Sequence, residues 1–317
     1  MNKLKTLFTA SPIVATLVSL LIVGAVSAAI LGVYVTATGT ATVEQSVVFG
    51  DDSISKTYTF DAMAGDTYTE GYNLKNRSET TAPIKLQTTQ CVAGSGVCTS
   101  NPGNDEEGIE TSYWSTVELE NKDISTWSVI GDSTRATLTY ELVSSAFNYE
   151  LEATGLTPDI EYSLIYYADQ QDRFVSWGGD NPGALIVAGM ADENGELGLV
   201  GSNNLAMNLP QSADWNGSAD ADYCDNANGF DDYDLCRGAK VWLVPSSEYD
   251  AGAKTVSWAD PTSYLYETDL MVYDDVDSDG EALYLGHGML NFFIKNVFAI
   301  NVAPGTYTIK TEVQPVQ

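Results

Sequence analysis

The sequence predicts an all-β protein: a β-sandwich interrupted by a second β-sandwich domain and preceded by an amino-terminal apolar signal or anchor helix. Three observations carry this expectation. Apolar residues recur at two-residue spacing between Gly, Asp and Asn turns, no long helical period runs on after residue 40, and turn residues punctuate the chain at short intervals. A hydrophobic content of 44 % with 10 % aromatics is enough for a packed core, and 317 residues allow about two domains.

The amino terminus reads as targeting. Lys3 and Lys5 precede a run from Ile13 to Val35 without a charged side chain, and the next charged residue is Glu44. The run is about long enough to cross a bilayer. Residues 1–28 are therefore expected to be a signal peptide or membrane anchor, and the small residues Val26-Ser27-Ala28 favour cleavage before Ala29. The expected location is the cell surface or the extracellular space.

Strands follow in order. Val43, Val47 and Phe49, then Tyr58 and Phe60, then Tyr68, Tyr72 and Leu74, then Ile84 and Leu86 mark four of them. The alternation returns at residues 136–140, 147–151, 162–167, 197–200 and 241–244. Asn194-Gly195 between strand runs specifies a type I′ turn. The closing segment, 288–313 with its Pro304-Gly305 turn, reads as a hairpin without nearby partners and is expected to pair back with the amino-terminal strands.

Charge and histidine content exclude several chemistries. With 44 Asp and Glu against 14 Lys and Arg, the formal charge is −30, and the imbalance comes from missing cations. A nucleic-acid binder needs a cationic footprint, so none is expected. The single histidine, His287 between Gly286 and Gly288, removes every site that needs two imidazoles. Carboxylate pairs of the glycosidase type have no readable separation among 44 acids. Trp177, Trp215, Trp242 and Trp258 suit either sugar stacking or core packing. No enzyme activity is expected.

The four cysteines form two local pairs. Cys91 with Cys98 and Cys224 with Cys236 leave gaps of six and eleven residues, which fit short disulfide loops and not the CxxC spacing of zinc sites. Asn76-Arg77-Ser78 and Asn216-Gly217-Ser218 match the glycosylation acceptor, so Asn76 and Asn216 are candidate sites, with plain turn asparagines as the other reading. Calcium is the candidate ion at two acidic clusters. One is Asp275, Asp277 and Asp279 before Gly280, a calcium-type Asp turn or a solvated linker; it is no EF-hand, because Gly286 stands at the twelfth position. The other surrounds the Cys224–Cys236 loop, with Asp220, Asp222, Asp225, Asp231 and Asp232, where an ion offsets repulsion or the loop is simply hydrated.

Ala64-Gly65-Asp66-Thr67-Tyr68, then Tyr72-Asn73-Leu74-Lys75-Asn76-Arg77-Ser78 and Ile84-Lys85-Leu86, with the closing Ala303-Pro304-Gly305-Thr306-Tyr307-Thr308-Ile309, resemble the TasA/camelysin family of exported biofilm fibre proteins. The similarity covers about 120 of 317 residues. It implies a jelly-roll-like, TasA-type β-sandwich that polymerises when an amino-terminal strand of one subunit completes the sheet of the next. Residues 29–48 are then the donor segment, with β-branched Ile30, Val33, Val35, Val43 and Val47. Residues 49–126 plus 284–317 form the TasA-like sandwich, and 127–283 an inserted β-sandwich. The insert and the absence of a peptidase motif depart from the family, so its proteolytic activity is not carried over. Within the insert, Leu156-Thr157-Pro158-Asp159-Ile160-Glu161-Tyr162 resembles the tyrosine corner of fibronectin-type sandwiches. The expected function is an extracellular structural subunit whose partner is itself, head to tail; the alternative is a membrane-tethered monomeric adhesin that binds glycans or calcium.

Overall fold

Alternating side chains become strands wherever one face finds a core. The computed structural model describes residues 45–77, 82–92, 98–100, 109–167, 184–205, 209, 239–253, 255–276, 283–285, 288–301 and 304–315. The strands begin with β1 (Val47–Phe49), β2 (Ser55–Ala62), β3 (Thr67–Asn76), β4 (Ala82–Val92), β5 (Cys98–Ser100) and β6 (Ile109–Glu120). A small hairpin of β7 (Lys122–Asp123) and β8 (Ser128–Val129) follows. Next come β9 (Arg135–Glu141), β10 (Val143–Ser144), β11 (Phe147–Thr154), β12 (Glu161–Tyr167), β13 (Ala184–Met190) and β14 (Leu197–Asn203). The last third holds β15 (Lys240–Pro245), β16 (Tyr249–Asp250), β17 (Thr255–Val256), β18 (Leu265–Glu267), β19 (Asp274–Asp275), β20 (Leu283–Leu285), β21 (Gly288–Phe298) and β22 (Gly305–Pro315). The fold is all-β among the described residues, built of several antiparallel sheets with one short parallel pair, β10 with β19.

The first sandwich sets β1, β3, β21 and the first half of β6 against β2, β22 and β4, with β5 and β20 on the far edge of β4. The carboxy-terminal segment does pair with the amino-terminal strands. Its two strands, however, enter opposite sheets: β21 runs the length of β3, whereas β22 lies between β2 and β4. Residues 288–313 are therefore an arch over the core and not a hairpin. Inward residues Phe49, Leu74, Ile84, Leu86, Phe292, Ile294 and Val313 fill the space between the sheets.

β6 is longer than one sandwich needs, and this joins the two halves of the chain. Residues 109–114 pair with β21, residues 114–120 pair with β9, and the last two also pair with β18. From β6 the sheet continues through β9 and β11 to β14 on one side, and through β18, β15 and β12 to β13 on the other. These ends meet again: a Cβ on Gly189 of β13 would stand 2.7 Å from Leu199 of β14. The sheet thus runs unbroken from the 49–126 segment into the 127–283 segment, and Gln45–Gln317 is one compact unit.

The corner expected at Tyr162 has its hydrogen bond: the Thr157 backbone N–H donates to the tyrosine hydroxyl at 3.1 Å, and the ring is 2 % exposed. The nearby 192–196 turn differs from the type I′ expectation. Only Gly195 has a positive φ, +75°, while Asp192 accepts from the backbone N–H groups of Asn194 and Glu196 at 2.8 Å. A type I′ turn needs two left-handed residues; here the Asp192 carboxylate organises a wider turn instead.

Candidate functional site

β3 borders the first sandwich, and among the described residues only its end is covered. β1 pairs with residues 74–76, and the Gly50 N–H reaches the Asn73 carbonyl at 3.0 Å. Among the described residues, no strand lies along residues 67–72 on that side. Successive residues of a strand point their backbone groups to opposite sides. Asn73 accepts from Gly50, and the Arg77 N–H donates to Ser46, so the odd positions face outward. Thr67, Thr69 and Gly71 therefore present a row of backbone donors and acceptors beyond the ladder.

β2 is likewise the outermost strand of the opposite sheet. The 63–66 turn joins β2 to β3, yet the two do not pair. Phe298 of β21 accepts from Gly65 at 3.0 Å and donates to Asp66 at 2.8 Å, which draws the turn across to the other sheet. The strands then face each other through side chains. Phe60 and Tyr68 stack at 3.9 Å between centroids, and Tyr58 stands 5.4 Å from Tyr68 and 6.2 Å from Tyr72. These rings are only half-buried, because nothing described closes the gap between the two outer strands.

The electrostatics of this cleft are those of an apolar slot with one acid. Desolvation holds the Tyr58 and Tyr72 hydroxyls well above the ordinary tyrosine range and raises Tyr68 as well, with the Glu70 carboxylate adding to the last two. Glu70 shares the inward face and accepts from the Tyr68 hydroxyl at 3.3 Å. An apolar slot flanked by backbone groups that no described strand covers is suited to receive an extended chain. Among the described residues, no group of three metal-ligating side chains is present.

The sequence-predicted residues are dispersed. Val47 lies in β1, fully buried and paired with Asn76 of its own chain; Ile30, Val33, Val35 and Val43 lie outside the described residues. Cys91 and Cys98 stand directly opposite each other between β4 and β5, and Cys91 carries no free thiol. Cys224, Cys236, Asp220, Asp222, Asp225, Asp231, Asp232, Asp277, Asp279, Asn216, Trp177, Trp215 and His287 fall outside the described residues. Asp275 is 2 % exposed in β19, which pairs with β10, and so is not a solvated linker residue. Asn76 is 1 % exposed and its side-chain nitrogen donates to the Leu285 carbonyl at 2.9 Å, so the acceptor pattern there falls on an amide committed to the core. Trp242 is core, edge-to-face with Trp258 and Tyr266.

Two features escaped the sequence. The cleft aromatics were legible as strand residues, but nothing in an alternating pattern says that β2 and β3 face each other. Glu267 is the other: it is 9 % exposed between β6 and β15, one carboxylate oxygen has no hydrogen-bond partner among the described residues, and burial pushes it up to about 7 against the pull of Lys122 and Lys240. Comparisons with protein-family models, curated proteins and solved structures give no match to this chain.

Proposed function

We propose that this chain is an extracellular or cell-surface structural protein, the subunit of a filament or matrix fibre. In this reading the amino-terminal segment of one copy adds a strand to the next. The observation that supports it is the outer edge of β3 at residues 67–72, which no strand among the described residues covers, beside the aromatic cleft. An added strand gains main-chain hydrogen bonds from Thr67, Thr69 and Gly71, and its alternate side chains reach the rings of Tyr58, Tyr68 and Tyr72. Six strand residues span roughly 20 Å.

Val47 is already used within its own chain, which leaves residues 29–44 as the donor. That stretch is uncharged before Glu44, and Val33 and Val35 alternate along it, as do Thr36, Thr38, Thr40 and Thr42. Such a contact is head-to-tail and does not close on itself, so it propagates. The resemblance of the 64–86 and 303–309 segments to the TasA/camelysin family points the same way. No catalytic role is proposed.

Negative-stain microscopy of the chain from Ala29 tests the reading. Threads are expected, and they are expected to vanish on deletion of residues 29–44 and in Thr69→Pro, which removes one outward N–H while sparing the β21 ladder. Single particles from the parent chain, or threads unaffected by both changes, overturn it.

A further inference from the structure

The face of the β3–β21–β6 sheet that looks away from the core carries an ordered pattern. Register sets Gly71, Phe293, Trp114 and Glu141 opposite one another across β3, β21, β6 and β9. One row on, Asn73 stands opposite Asn291, with Thr116 lining the same cleft. An aromatic row thus runs beside an amide row. Their strand neighbours Leu74, Phe292, Ile294 and Ser115 are buried, which places these two rows on the outer face.

Gly71 makes the face concave. A Cβ there would meet nothing within 4 Å, so the row has a notch walled by Phe293. The 50–56 segment forms the far wall, where Lys56 and Asp51 form an ion pair. The cleft between them holds about 520 Å³. Trp114 is fixed in orientation: its indole N–H donates to Ser112 at 2.7 Å, and the Lys295 ammonium stands 5.3 Å from the ring centroid.

We infer that this face binds a neutral glycan, with a pyranose ring lying on Phe293 and its hydroxyls meeting Asn73, Asn291 and the Asp51–Lys56 pair. A sugar ring presents C–H groups on its faces and hydroxyls at its rim, which matches an aromatic row bordered by amides. A purely apolar ligand would strip water from the amides and the ion pair without replacing their hydrogen bonds. A polyanion is repelled by a chain of net charge −30. The inference goes beyond the filament reading, although Gly71 and Tyr72 border both sites; calorimetry reads the glycan and microscopy reads the threads, so either reading can fail alone.

Calorimetric titration of the chain from Ala29 with cellohexaose and with isomaltohexaose tests it, with an oligogalacturonate as the acidic control. Binding to at least one neutral oligosaccharide and none to the acidic one is expected. Phe293→Leu and Gly71→Thr are expected to raise the dissociation constant at least tenfold, whereas Val200→Ser, on exposed β14, leaves it unchanged. Should Phe293→Leu lower the melting temperature, Gly71→Thr decides, because an added Cβ at Gly71 meets nothing within 4 Å. No heat with either neutral ligand, binding only to the acidic one, or parental affinity in Gly71→Thr overturns the inference.

Discussion

Asn296 of β21 donates its side-chain amide to the hydroxyl of Tyr58 in β2 at 2.8 Å, across the interior of the first sandwich. Asn296 is fully buried, and its carbonyl oxygen accepts from Thr111 of β6 at 2.8 Å. Thr111 in turn accepts from Gln90 of β4 at 2.9 Å. Further along, Thr88 meets both Tyr113 and Thr311, at 2.5 and 3.0 Å. The two sheets are thus joined by a polar ladder inside an apolar core, where each satisfied group supports its neighbours.

Asn296→Leu keeps the volume and removes both bonds. The Tyr58 hydroxyl then loses its donor and the Thr111 hydroxyl its acceptor. A loss of about 3 kcal/mol is expected in urea unfolding, at about 1–3 kcal/mol for each buried group left unpaired. Adding Tyr58→Phe is expected to cost less than the sum of the two single changes, because one orphan has been removed. Strict additivity would show that the pair is not coupled.

Glu267 gives the chain a pH dependence near neutrality. Its folded value, about 7, lies above the ordinary 4.5, because burial outweighs the attraction of Lys122 and Lys240. The folded state therefore holds the proton more tightly than the unfolded chain. The stabilisation is complete below about pH 4.5 and is lost as pH rises through 7. At about 1.4 kcal/mol per pKa unit, the swing is a few kcal/mol. Glu267→Gln is expected to flatten the fall in melting temperature between pH 5 and 8; an unchanged slope would place the titration elsewhere.

Much of the strand content was legible because alternation is local: Tyr58 and Phe60 are two residues apart, and Tyr72 and Leu74 are two residues apart, within their own strands. What strands do with one another is not local. Tyr58 pairs with Ile309, far along the chain, and a hairpin and an arch share the same alternation, so β21 and β22 could not be told apart from an ordinary hairpin. Asp275 read as a loop residue because its neighbours are acidic, yet pairing with Ser144 draws it inside. The candidate cleft is legible only after the sheet order is known, since an open edge is a statement about missing neighbours.

The tyrosine corner was legible because it is local, and its energetic share is measurable. Tyr162→Phe removes the acceptor for the Thr157 N–H while leaving the ring in place. A loss of about 1 kcal/mol is expected, read as a lower urea midpoint with an unchanged denaturant slope.

Gly195 separates backbone strain from steric clash at the same corner. Its φ is +75°, and a Cβ there would stand 2.2 Å from the Leu156 carbonyl oxygen, while the Gly195 carbonyl accepts from the Leu156 N–H at 3.0 Å. Gly65 has a similar φ, +82°, but an added Cβ meets nothing within 4 Å. Both substitutions by alanine incur the left-handed penalty of about 1–2 kcal/mol, and only Gly195→Ala also forces the backbone at Leu156 to move. Gly65→Ala is therefore expected to cost about 1 kcal/mol and Gly195→Ala about 3 kcal/mol or more in urea unfolding. Equal losses would mean that the turn yields freely, and that the contact between the 192–196 turn and the tyrosine corner is loose.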